Sequence, residues 1–485
     1  MLHCLINKIS IVVRTNVFSK LPHIISGSVG VQLGRDARRT FSLSFSVRCS
    51  RPAVGGGHGS MFRLSDYDCV GFDLDHTLLR YRISELVSLE YEVMAKFLVA
   101  ERGYDADHLL RPFGADAVDF LQKGLVLDFE RGNVLQLARG GAISKASHGT
   151  LPMTDGEVCA CYGEEKCWEV ASLFHRDPLS TWNGPLTQRM RALLDYFDAP
   201  ASVAFGRIVD SLDARAGCVV GRYNVWPDIL DSLGYMFGRE QFAVNGGDYF
   251  PALKRNPEKY IHKCSAKVVN WLREIKRSKV VFMVTGSNVD FASFTAQYCL
   301  GENWRDLFDI VVCYARKPGF FTGNRPFLRL EGIQEKDELA SDKLQFGNMY
   351  SQGNWQDLYS LFVAKTGKEQ PKCVYFGDNL IQDVYTPKKL ELCDIVAVVE
   401  ELLANHSSEF RHPDTAVLAS HLWGPYLRGS SPTIWTEIVH QYAKLCISDL
   451  GVLAQQPLDI AFSCIDTLNP NLCSGYHISE HLEEN

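Results

Sequence analysis

Two periods of apolar and polar residues alternate along this chain. Short, almost wholly apolar runs occur in "CVGFDLD", "KVVFMVTG", "FDIVVCYARK", "KCVYFGDN" and "CDIVAVVE". Runs of this length, closed by polar residues or glycine, predict strands buried on both faces. Between them, "SELVSLEYEVMAKFLVAERG" and "SAKVVNWLREIKRSK" place apolar residues three and four apart, and the first is closed by Gly103. These predict amphipathic helices. Strand and helix in alternation predict an α/β fold, a parallel sheet with helices on both faces.

The first strand, at residue 70, and the second, at 279, are about two hundred residues apart, so a large segment is inserted between neighbours of one sheet. Within it, "GNVLQLARGGAISKASHG" alternates apolar and polar residues on either side of Arg139-Gly140-Gly141, which predicts a β-hairpin. Residues from about 165 to 245 read as mainly helical, "TQRMRALLDYF" and "WPDILDSLGYMF" having helical spacing. The expected organisation is a core of 61–105 and 246–425, an inserted hairpin and mainly helical cap at 106–245, and peripheral helix and tail at 426–485.

Composition narrows the class. Of 485 residues, 46% are hydrophobic and 22% charged, with no apolar run long enough to span a bilayer. A net charge of −7 argues against coating nucleic acid, which needs a basic face. The 15 cysteines are odd in number and scattered, as expected of reduced thiols in an intracellular protein. Cys159, Cys161 and Cys167, with His175 beyond, could offer zinc four ligands, but C-x-C is tighter than the usual pairs, so free thiols are expected. In residues 1–60, eight lysines and arginines from Lys8 to Arg51 face only Asp36, and "GGGHGS" precedes Met61. That is the composition of a mitochondrial leader or of an extension read through from an upstream start, outside the fold in either case. The expected compartment is cytoplasmic, with mitochondrial as the alternative.

Charged and hydroxyl residues follow four of the apolar runs: Asp73 and Asp75, then Thr285, then Lys317, then Asp378 and Asp383. Right-handed crossovers bring the carboxyl ends of parallel strands to one edge, where such sheets bind ligands. A D-x-D-x-T match alone means little; four such groups in order point to phosphoryl transfer. A carboxylate attacks an anionic ester only where repulsion is cancelled, and Mg²⁺, which prefers oxygen ligands, cancels it. Asp73 is then expected to be nucleophile and metal ligand, Asp75 a ligand through its backbone carbonyl, Asp378 the second side-chain ligand, and Asp383 a metal-site residue orienting a water. Asp75, two positions along the strand, can also serve as general acid and then base. Thr285 would donate to a phosphate oxygen and Lys317 would neutralise its charge.

"DLDHT", the threonine of "MVTGSN", the lysine of "ARKPGFF" and "GDNLIQD" resemble the four motifs of haloacid dehalogenase-type phosphatases. "YSQGN", "YFGDNLIQDVYTPKK" and "ERGNVLQLARGGAISKASHG" are similar to the cytosolic purine 5′-nucleotidase group and its domain-containing relatives, from about Met61 to 465. The resemblance implies a Rossmann-like haloacid dehalogenase core, a cap after the first motif, Mg²⁺ dependence and hydrolysis of nucleoside 5′-monophosphates. It also points to Arg222 and Asp228 in "GRYNVWPDILDSL" as substrate-binding, against the plainer reading of a surface arginine and a helix-start aspartate. After "SHG" the chain departs from the purine-specific pattern with "TLPMTDGEV", so no base preference carries over. The alternatives are a nucleoside phosphotransferase, a phosphatase of another small phosphometabolite, and a weakly active binding or regulatory protein on the same fold.

Overall fold

The computed structural model describes residues 60–180, 184–405, 418, 420–427, 432–466 and 475–478. The expected leader, apart from Ser60, lies outside these residues. Seven parallel strands form the centre: β1 (Cys69–Phe72), β2 (Val280–Val284), β3 (Ile310–Cys313), β4 (Met349–Gln352), β5 (Cys373–Gly377), β6 (Asp394–Val398) and β7 (Leu445–Ile447). Their order is β4-β3-β2-β1-β5-β6-β7, extended beyond β4 by the antiparallel pair Phe327–Glu331 and Gln334–Leu339, and beyond β7 by Tyr476–His477. This is the α/β parallel sheet predicted from the apolar runs.

β1 sits in the middle, with Cys69 opposite Val280 on one side and Cys373 on the other. All four of its residues are buried, which explains why the run is apolar throughout rather than alternating. Gly71 is required by crowding: a Cβ there would lie 2.1 Å from the ring of Phe282 on β2. After the turn that follows β1, helix α1 (Ile83–Arg102) packs against other helices and stops at Gly103, whose φ of 70° is left-handed.

The inserted segment carries both kinds of element. Asn133–Leu137 and Ile143–His148 form the predicted hairpin within a five-stranded antiparallel sheet. Helices α2 (Pro200–Ala216) and α3 (Trp226–Phe237) pack on α1. One apolar cluster runs from Phe72 and Phe376 of the sheet through α1 into Phe205 and Ile208 of α2, so packing is continuous from sheet to insert.

Two expectations are corrected. "TQRMRALLDYF" is not a helix: Met190–Ala192 is a strand paired with Val126–Asp128, and the following turn is closed by Phe197 N–H donating to Asp195 Oδ1 at 3.1 Å. Met190, Leu193, Leu194 and Phe197 are all buried, but against different neighbours, and that gave the segment helical spacing. The segment from 426 onward is not peripheral. It supplies β7, whose Leu445, Cys446 and Ile447 are completely buried beside β6, and Phe462–Ser463, which pairs with Met61–Phe62.

Candidate active site

Backbone geometry at the carboxyl ends of β1, β2, β3 and β5 brings the polar residues together. Asp73 N–H donates to Phe376 O on β5 at 2.8 Å, holding the residue after β1 in the plane of the sheet. Leu74 N–H donates to Asp73 Oδ1 at 2.8 Å, and Leu74 O then accepts from three successive amides as the chain turns away. After β3, Tyr314 and Arg316 adopt left-handed φ of 50° and 55°, strained for side chains of that bulk. Tyr314 N–H and Ala315 N–H donate to the carbonyls of Ser287 and Thr285 at 2.7 and 2.9 Å, tying this loop to the end of β2. The loop delivers Lys317, 1% exposed.

Beyond β5, Asn379 caps a short π-helical turn, Leu380–Tyr385, its side chain accepting from the amides of Ile381 and Gln382 at 3.3 and 3.0 Å. The first turn brings Asp383 back beside Asp378. Gly377 makes this possible, because a Cβ there would lie 2.4 Å from the Cβ of Asp383.

Lys317 Nζ lies 2.9 Å from Asp73 Oδ2, 2.6 Å from Asp383 Oδ1 and 3.2 Å from the Tyr375 hydroxyl. Burial works against its charge, but Asp383 and Asp73 outweigh burial and raise its pKa. Burial pushes Asp383 up to about 7 against the opposing pull of Lys317. It raises Asp378 well above the carboxylate range, with Lys123 opposing. Both oxygens of Asp378 are buried without a hydrogen-bond partner. One carboxylate oxygen each from Asp73, Asp378 and Asp383 lie within 4.8 Å of one another. A buried, all-oxygen set with unsatisfied acceptors fits a hard divalent cation.

Asp75 is held from two sides: Tyr81 donates to Oδ1 at 2.8 Å and Ser287 to Oδ2 at 2.6 Å. Burial and the neighbouring Asp73 raise its pKa, partly opposed by these two bonds. Thr285 is fully buried, and its Oγ1 accepts from Ser287 N–H at 3.1 Å, so it adjoins Asp75 through Ser287. Asp73, Asp75, Ser287 and Lys317 share one cavity with Phe197, Phe237, Phe242, Tyr249, Phe250 and Phe291.

The structure therefore gathers Asp73, Asp75, Lys317, Asp378 and Asp383, with Thr285 adjoining. It does not bring Arg222 or Asp228 to the cavity lining. Arg222 is exposed, and Asp228 accepts from the Tyr104 hydroxyl at 2.6 Å and pairs with Arg102 at 3.2 Å. Cys159, Cys161 and Cys167 are free thiols at or near the surface, and His175 pairs with Glu437 at 3.1 Å. Among the described residues the aspartate trio is the only group placed to hold a metal. Sequence reasoning missed Tyr81 and Ser287. Ser287 was in view inside "MVTGSN", two residues past Thr285, the spacing that returns a side chain to the same side of an extended chain.

Such an edge on such a sheet defines a phosphomonoester hydrolase, and comparison with known proteins agrees. The pattern of the 5′ nucleotidase family matches residues 59–411, and the chain belongs to that family. It is 33% identical over 448 residues to 5′-nucleotidase domain-containing protein 1 of Homo sapiens, covering 86% of this chain and 96% of that protein. The Bos taurus protein of the same name is 33% identical over 447 residues, with the same coverage. 5′-Nucleotidase domain-containing protein 2 of Rattus norvegicus is 26% identical over 336 residues, 66% of this chain and 54% of that protein. No helix among the described residues is long and apolar enough to cross a membrane.

Proposed function

We propose that the protein is a Mg²⁺-dependent 5′-nucleotidase that passes its phosphoryl group through Asp73. The observation that carries this is the buried ammonium of Lys317 between Asp73 and Asp383, beside the unsatisfied oxygens of Asp378. Asp73, Asp378 and Asp383, with the backbone carbonyl of Asp75, would hold the ion, which supplies charge neutralisation at the phosphate.

Asp73 Oδ attacks phosphorus, a P–O bond forms, and the bond to the ester oxygen breaks with its electron pair on that oxygen. Asp75, protonated, gives its proton there and releases the nucleoside. As a carboxylate it then takes a proton from water; the hydroxide oxygen bonds to phosphorus and the Asp73 O–P bond breaks, freeing phosphate. Tyr81 and Ser287 keep Asp75 oriented through both steps. Lys317 balances charge on the phosphate, and Thr285 donates to one of its oxygens. Aromatic walls at Phe197, Phe237 and Tyr249 support a leaving nucleoside that carries a planar base.

The test is release of phosphate from a panel of nucleoside 5′-monophosphates with and without Mg²⁺. Asp73→Asn is expected to lower metal-dependent turnover at least a thousandfold; unchanged release would refute the nucleophile.

A further inference from the structure

The inserted segment sends an ammonium to the oxygen cluster. Lys123 lies just before the strand Val126–Asp128, and its side chain is 3% exposed. Its Nζ is 3.2 Å from Glu401 Oε1 and 3.7 Å from Asp378 Oδ2, and stands 4.7 Å above the ring of Tyr196. The hydroxyl of Tyr196 donates to the same Glu401 oxygen at 2.7 Å. The backbone beside Lys123 is fixed as well, since Trp435 Nε1 donates to Gly124 O at 3.0 Å. Gly124 has a φ of +85°, and a Cβ there would lie 2.3 Å from that same nitrogen.

At 3.7 Å Lys123 balances the charge of Asp378 without a hydrogen bond to either of its oxygens, which stay available to a cation. A divalent ion on Asp378 would have this ammonium as a near neighbour, in an interior where like charges repel far more strongly than in water. Glu401 and Tyr196 decide how near it stands.

We propose that Lys123 is a positioning residue that sets how tightly the aspartate cluster holds its divalent ion. Its ammonium substitutes for part of the ion's charge at Asp378 and repels the ion once bound, while Glu401 draws the ammonium back. This rests on the metal-centre reading above. It also places control of that centre in the inserted segment, outside the four strand-end motifs.

The experiment titrates Mn²⁺ alone into the full chain, without substrate, following the ion by electron paramagnetic resonance and the protein by thermal unfolding. Lys123→Met is expected to bind Mn²⁺ at least tenfold more tightly and, free of metal, to melt at lower temperature. Lys123→Arg should bind as the parent does. Glu401→Gln should bind at least threefold more weakly, because it releases the ammonium toward Asp378. A purely structural role for Lys123 would lower the melting temperature and leave Mn²⁺ affinity unchanged, and that result, or weaker binding by Lys123→Met, overturns the inference. If Lys123→Met does not fold, Glu401→Gln decides: unchanged or tighter binding overturns it. Failure of the parent protein to bind Mn²⁺ would remove the metal centre itself, whereas a parent that binds and variants that do not respond would remove only the part given to Lys123.

Discussion

Gly377 lies against Asp383, whose Cβ and carboxylate stand where any side chain of its own would go. Gly377→Ala must move Asp383 or the end of β5, and overpacking of this kind costs about 1–3 kcal/mol. Asp383 also holds Lys317 at 2.6 Å, so the displacement reaches the ammonium. We expect kcat for nucleotide hydrolysis to fall at least a hundredfold with only a modest drop in thermal midpoint; near-normal turnover would show that Asp383 tolerates a shift. At this scale much was legible. A carboxylate directly after a fully apolar run can only emerge at a strand end, and Asp73, Asp75 and Asp378 all do so. Lys123 and Tyr81 were not legible, because Lys123 follows no core strand, Tyr81 lies well beyond the end of β1, and their approach to the site depends on how the chain packs.

Elements long enough to show a period were read correctly, as with α1 and its closing Gly103, β2, and the hairpin around Gly140. Short ones were not. β7 has three residues, too few to distinguish a strand from any apolar patch, and Met190–Ala192 was obscured by flanking apolar residues at helical spacing. The misreading of the tail has a measurable counterpart. Leu445 is completely buried against β6, so Leu445→Ala should cost about 2–5 kcal/mol in urea unfolding. A loss under about 1 kcal/mol would restore the peripheral reading.

Among the described residues, buried carboxyl groups outnumber buried basic ones, and that fixes the sign of the pH response. Burial pushes Asp198 up to about 6, with Arg191 opposing, and raises Glu90 well above its usual range, with Asp195 adding to the effect. Asp75, Asp378 and Asp383 are raised as well. A group with a raised folded pKa contributes its stability below the unfolded value and loses it as pH climbs through the folded one. Glu400 is shifted the other way, to about 2, mainly by Arg80 against burial, but its window closes below pH 5. In a chelator, the free energy of unfolding should therefore fall between pH 5 and pH 7.5, and Asp198→Asn should flatten part of that slope. A rise across the interval would contradict the assignment.

The central position of β1 has a consequence for synthesis. Its two flanking strands, beginning at Val280 and Cys373, leave the ribosome roughly 210 and 300 residues after Cys69. At about 5–20 residues per second these are waits of roughly 10 to 40 s and roughly 15 to 60 s. Until the first of these strands emerges, "CVGF" has two unpaired edges and no partner in its own sheet, the condition in which apolar strands adhere to other chains. The nascent polypeptide thus needs sheltering at the very strand that Asp73 follows.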